Sequence, residues 1–79
     1  MPAPVYPKLG KMYRLDATVL VRVLVDKDGS VRKTFIYKSD NDLFNQCAID
    51  AAKSAKYAPA MKNNEPIALW IMMPYKFKN

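Results

Sequence analysis

The side chains of this chain that could do chemistry are few, and their spacing argues against catalysis. Histidine, the commonest general base and metal ligand, is absent. Asp26-Lys27-Asp28-Gly29 has the opening of a calcium loop but lacks the further acidic ligands and the closing glutamate, so a plain hairpin turn fits better. Cys47 has no second cysteine to form a disulfide or a zinc pair. It falls at helical spacing with Phe44, Ala48, Ala51 and Ala55, as a small buried hydrophobe would and a reactive thiol need not. Met72 and Met73 are adjacent in a strand-like run, so they point to opposite faces and cannot share a copper ion. No glycine-rich phosphate loop is present. Asp16, Asp26, Asp28, Asp40, Asp42, Asp50 and Glu65 fall mostly in turns, where capping accounts for them. No catalytic group, metal or cofactor is expected.

The backbone offers a different chemistry. The run Ile67-Ala68-Leu69-Trp70-Ile71-Met72-Met73-Pro74-Tyr75-Lys76-Phe77 is apolar and carries a proline. Proline has no N–H to give to a sheet ladder, so such a strand belongs at a sheet edge. An apolar edge is a template for another chain, either a partner peptide or a second copy of the same domain. The expected docking residues are therefore Leu69, Trp70, Ile71, Met72, Met73, Pro74 and Tyr75. Trp70, Met72 and Pro74 fall on one face, and Leu69, Ile71, Met73 and Tyr75 on the other.

The elements that must position this edge can be read from periodicity. Residues 1–7, with Pro2, Pro4 and Pro7, read as an extended leading segment, and residues 8–79 as a single domain. Residues 8–14 suit a short helical turn with Leu9, Met12 and Tyr13 on one face. Residues 18–25 form the clearest strand, with Val19, Val21, Val23 and Val25 toward the core. Asp26-Lys27-Asp28-Gly29-Ser30 turns the chain, and residues 31–38 return as a second strand. A helix comes next, capped by Asp42 or Asn45 and ending before Pro59. Residues 61–65 are a turn in which Asn64 suits the left-handed conformation, and the last strand closes the chain. A right-handed return after the helix sets the last strand beside the first. The expected fold is α+β, with a three-stranded antiparallel sheet of order 2-1-3, one main helix and the short N-terminal helical turn.

Composition is that of a small globular domain: 51% hydrophobic and 25% charged over 79 residues. No stretch approaches the roughly 20 apolar residues of a membrane span, and the start does not read as a signal peptide. Net charge is +6, which favours anionic partners. The cations are scattered, so a solvated basic surface is the simpler reading. A small basic nucleic-acid-binding domain is the alternative of another class, with Phe35, Tyr37 and Trp70 available to stack single-stranded bases.

Four motifs, in order and at matching spacing, resemble the C-terminal domain of TonB-family energy transducers. Tyr6-Pro7 is similar to the family's YP motif, and Val25-Asp26-Lys27-Asp28-Gly29-Ser30-Val31 to its V-D-x-D-G-x-V hairpin. Cys47-Ala48-Ile49-Asp50-Ala51-Ala52 through Tyr57-Ala58-Pro59-Ala60 resembles the helix and its exit. Pro66-Ile67 and Met73-Pro74-Tyr75-Lys76-Phe77 resemble the closing strand. Departures are Ala17 after Asp16 for the usual glycine, Ser39-Asp40-Asn41, Asn63-Asn64, and Ala55 where tryptophan is common. The resemblance implies a periplasmic domain, tethered to the inner membrane in the full-length protein. It implies strand addition by the N-terminal peptide (TonB box) of an outer-membrane TonB-dependent transporter, with Tyr6 and Pro7 cradling that peptide. It also implies coupling to an inner-membrane proton-channel complex through an N-terminal helix that this chain lacks. Nucleic acid is not an expected partner on this reading. A TonB-like scaffold or signalling adaptor without a transporter is a further alternative.

Overall fold

The computed structural model describes Lys8 and residues 15–78. Tyr6, Pro7 and the expected helical turn, apart from a helical Lys8, lie outside those residues. Strand β1 (Ala17–Val25) runs through a tight turn into β2 (Val31–Ser39). A 3-10 turn (Asp42–Phe44) leads into helix α1 (Asn45–Ser54), and then come β3 (Ala60–Lys62), β4 (Glu65–Ile67) and β5 (Leu69–Phe77). The long strands form an antiparallel sheet of order β2-β1-β5, which is the expected 2-1-3 arrangement with one main helix.

Valine alternation drives the packing. Val19, Val21 and Val23 are fully buried, and Val25 nearly so. Ala48, Ala51 and Ala52 of α1 lie against this face, where small side chains let helix and sheet approach closely. Phe44 and Phe77, both buried, close one end of the core with ring centroids 4.7 Å apart. Ala55 is also buried.

Two local expectations need correction. The helix start is capped by neither Asp42 nor Asn45. Asn41 Oδ1 accepts the Leu43 amide at 3.0 Å, because a 3-10 turn precedes the helix and moves the cap one residue upstream. The helix ends at Ser54, before Pro59 as expected, with Ala55 already extended. Residue 58 precedes a proline, which disfavours helix there, and the Tyr57 amide donates to the Gly29 carbonyl instead of to a helical partner. The last strand is not continuous from residue 67. Glu65–Ile67 pairs with Ala60–Lys62 as a separate hairpin, and β5 begins after Ala68. Both Asn63 (φ 51°) and Asn64 (φ 65°) are left-handed, as a two-residue hairpin turn requires.

Two bulges shape β2. Pairing with β1 skips Tyr37 and Arg32, since Leu20 opposes Lys38 while Val21 opposes Ile36, and Leu24 opposes Lys33 while Val25 opposes Val31. Each extra residue flips the facing of the strand beyond it. Val31 thereby joins the valine face with Thr34 and Ile36, and Lys33, Phe35 and Lys38 point to the opposite face.

Candidate functional site

The edge of β5 with which no other described strand pairs can be resolved residue by residue. Thr18 N donates to Asp40 Oδ2 at 3.0 Å, and Thr18 O accepts the Asp40 amide at 3.1 Å. Asp40 comes directly after β2, so the backbone of Thr18 faces the β2 side. Backbone direction alternates along a strand, so Val19, Val21 and Val23 direct their N–H and C=O groups toward β5. The β1–β5 register is unbroken from Ala17↔Phe77 to Val25↔Leu69. Tyr75, Met73 and Ile71 are therefore the hydrogen-bonded partners. Trp70, Met72, Pro74 and Lys76 turn their backbone groups outward. Pro74 sits where no ladder donor is needed, which explains how a proline is tolerated in the middle of this strand.

The two sheet edges differ in kind. The β2 edge is broken by bulges at Arg32 and Tyr37 and carries Arg32, Lys33 and Lys38, all devices that discourage pairing. The β5 edge is regular over nine residues and its first half is apolar. Leu69, Trp70 and Met72 are 45%, 38% and 41% exposed, so the apolar side chains flanking this edge remain reachable. Ile71 and Met73 are half-buried against the core, and Tyr75 is buried. The predicted seven-residue docking set is thus one contiguous strand whose Tyr75 end is anchored and whose Leu69 end is open. Tyr6 and Pro7 lie outside the described residues.

Burial pushes the Tyr75 phenol above its ordinary value, and a hydrogen-bond contact with the Tyr57 hydroxyl at 3.3 Å adds to the effect. The neutral phenol is the form the fold prefers. Its contribution is complete below the unfolded tyrosine value, about pH 10, and is lost as pH rises above it. Thermal denaturation across that range should therefore show the wild type losing stability more steeply than Tyr75→Phe. In the β1–β2 turn, the Asp28 carboxylate lies below its ordinary value because the Ser30 hydroxyl and amide both donate to it, at 2.6 and 2.9 Å. That is a turn-stabilising role, and no group of three or more potential metal ligands occurs among the described residues. Cys47 is partly buried on the core side of α1.

One arrangement was only partly legible from sequence. Trp70 stacks on Phe35 across β1 (5.6 Å between centroids), and the Arg22 guanidinium lies 5.2 Å from the Trp70 ring centroid. The aromatic residues were visible as candidates, but the bulges that bring Phe35 into line with Arg22 and Trp70 leave no composition signal.

None of the described helices is long and apolar enough to cross a membrane. The model of the family "Gram-negative bacterial TonB protein C-terminal" matches residues 2–79. The chain is 33% identical over 78 residues to "Protein tonB2" of Pseudomonas aeruginosa, covering 98% of the chain and 29% of that protein. It is 34% identical over 74 residues to "Protein TonB" of Helicobacter pylori strain J99, covering 92% of the chain and 26% of that protein. With "Protein TonB" of Vibrio cholerae the identity is 26% over 76 residues, covering 95% of the chain and 31% of that protein. The chain thus spans less than a third of the length of these relatives. The motifs, the sheet order and the full-length family match agree: the chain belongs to the family of Gram-negative bacterial TonB protein C-terminal domains.

Proposed function

We propose that this domain is the binding end of a TonB-like energy transducer, and that it captures an extended peptide by adding it as a fourth strand beside β5. The observation that carries the reading is the outward parity of Trp70, Met72, Pro74 and Lys76 on a regular edge, with the β2 edge closed by bulges and cations. Backbone pairing supplies the attraction, and Trp70 and Met72 select the partner's alternate side chains. The partner is the N-terminal TonB-box peptide of an outer-membrane transporter, met in the periplasm. Force derived from the proton gradient passes through the contact from an inner-membrane complex, reached by parts of the full-length protein that precede this domain. Strand pairing suits that role because pulling along the strand loads its backbone bonds together. Tyr6 and Pro7 would cradle the same peptide. The domain itself catalyses nothing on this reading.

Salt dependence separates this from phosphate binding. Calorimetric titration with transporter N-terminal peptides should give an affinity that changes little between low and high salt, since the pairing groups are neutral. A phosphate-driven complex would weaken steeply, by a factor of roughly 10³ or more over a fourfold rise in salt for six or more phosphate contacts. Peptide binding with that steep slope, or no binding to any transporter peptide, would remove the proposal.

A further inference from the structure

Among the described residues, no element covers the face of the sheet opposite α1, and its long strands carry one sign of charge. By register, Arg22 of β1, Lys33 and Lys38 of β2, and Lys76 of β5 all point to it. The three long strands contain no acidic residue. Between the cations lies an apolar platform built from Phe35 and Trp70, with Met72 and the half-buried Leu20 and Leu24 around them. Phe35 is 55% exposed, a large apolar area to leave in water without a partner.

Charge decides between occupants. A second copy placed face to face would set four cations against four cations, so self-association there is disfavoured. An anionic partner is favoured. Stacking of nucleic-acid bases fits the geometry poorly, because the rings are already engaged: Phe35 lies on Trp70 and Arg22 lies over the Trp70 ring. Around these rings the platform is aliphatic, built from Leu20, Leu24 and Met72, which complements leucine and proline better than flat bases.

We propose that the helix-free face docks an acidic, aliphatic polypeptide segment through its side chains, with partner carboxylates on Arg22, Lys33, Lys38 and Lys76 and partner aliphatic groups on the Phe35–Trp70 platform. This surface adjoins the backbone edge of β5 and shares the Trp70 and Met72 side chains with it, but Arg22, Lys33, Lys38 and Phe35 lie on β1 and β2. It gives the domain a second contact, selected by the order of charged and apolar residues, where strand addition selects mainly for an extended backbone. Two contacts on one partner would raise the effective concentration of each for the other.

The probe is a peptide of four Glu-Leu-Pro repeats, whose prolines deny it a regular backbone ladder, with a Lys-Leu-Pro counterpart and an oligo-dT of similar length. Binding is monitored by Trp70 fluorescence and by amide shifts of the labelled domain. The acidic peptide should bind and shift Arg22, Lys33, Phe35 and Trp70, and the lysine peptide should not. The double variant Arg22→Glu/Lys33→Glu, at two exposed positions, should retain a folded spectrum and bind the acidic peptide about tenfold more weakly, the scale expected for losing and reversing two exposed ion pairs. Lys53→Glu, on α1 and so on the other side of the sheet, should have little effect, which controls for the loss of positive charge. Equal binding of both peptides, an unchanged affinity in the double variant, or preferential binding of oligo-dT at these residues would overturn the proposal. Failure here leaves strand addition at the β5 edge intact, since the probe cannot report on it.

Discussion

Met73→Pro should unfold or severely destabilise the domain, whereas Met72→Pro should leave it folded and impair peptide capture. The residues are neighbours in sequence and differ in which way their backbone faces. Met73 opposes buried Val21 as a hydrogen-bonded pair, so proline there removes a ladder donor and drives its ring at the Val21 carbonyl. Leaving that carbonyl unsatisfied costs about 1–3 kcal/mol, and the clash adds to it. A loss of about 3 kcal/mol would lower Tm by roughly 15 °C in a domain of this size. Met72 faces outward, as Pro74 does, and its substitution spares the β1 ladder. It removes one donor from the docking edge and sets a ring in the path of the incoming strand. Peptide affinity should fall about tenfold or more. Circular dichroism melting and calorimetry check the pair together. Equal destabilisation by both substitutions would show that the assigned parity is wrong.

Gly29→Ala should be the most damaging single-atom-scale change in the hairpin. Gly29 adopts φ 85°, a conformation that costs an alanine about 1–2 kcal/mol. Space is the larger difficulty. A Cβ at Gly29 would lie 2.1 Å from the Tyr57 carbonyl oxygen, a backbone atom that cannot swing aside as a side chain could. The same contact carries a hydrogen bond, in which the Tyr57 amide donates to the Gly29 carbonyl at 3.0 Å. The turn therefore clamps the chain leaving α1, and relieving the overlap means opening the clamp. The total loss should be about 3 kcal/mol, a large share of the roughly 5 kcal/mol that holds many small domains folded. Gly29→Asn distinguishes the two causes, because asparagine tolerates positive φ but has the same Cβ. It should be nearly as harmful as alanine. Full rescue by asparagine would mean that backbone conformation alone requires the glycine.

Much of this architecture can be read from particular residues. The Val19/Val21/Val23/Val25 alternation and Asp-x-Asp-Gly turn define the central hairpin, and the proline in the last strand fixes its place at an edge. The strand order comes from the handedness of the helical return. What escaped was set by tertiary context. The bulges at Arg32 and Tyr37 insert a residue without any marking residue type, so the facing of Lys38 and Val31 could not be read by simple alternation. Where before Pro59 the helix stops depends on the Tyr57 amide donating to the Gly29 carbonyl, a contact between segments far apart in sequence. The β3–β4 hairpin is hidden in the sequence because a plain turn needs only one left-handed residue, whereas this two-residue hairpin turn has both Asn63 and Asn64 left-handed. At the site itself, the docking strand was legible from Pro74, but the Arg22–Trp70–Phe35 assembly depends on bulge-corrected register.

Amide hydrogen exchange with and without a transporter TonB-box peptide tests strand addition at β5 most directly. In the free domain, Trp70, Met72 and Lys76 should exchange quickly while Ile71, Met73 and Tyr75 are protected by β1. On binding, protection should appear at Trp70, Met72 and Lys76, leaving the others little changed. New protection confined to β2, or peptide binding with no change at Trp70 and Met72, would contradict the account.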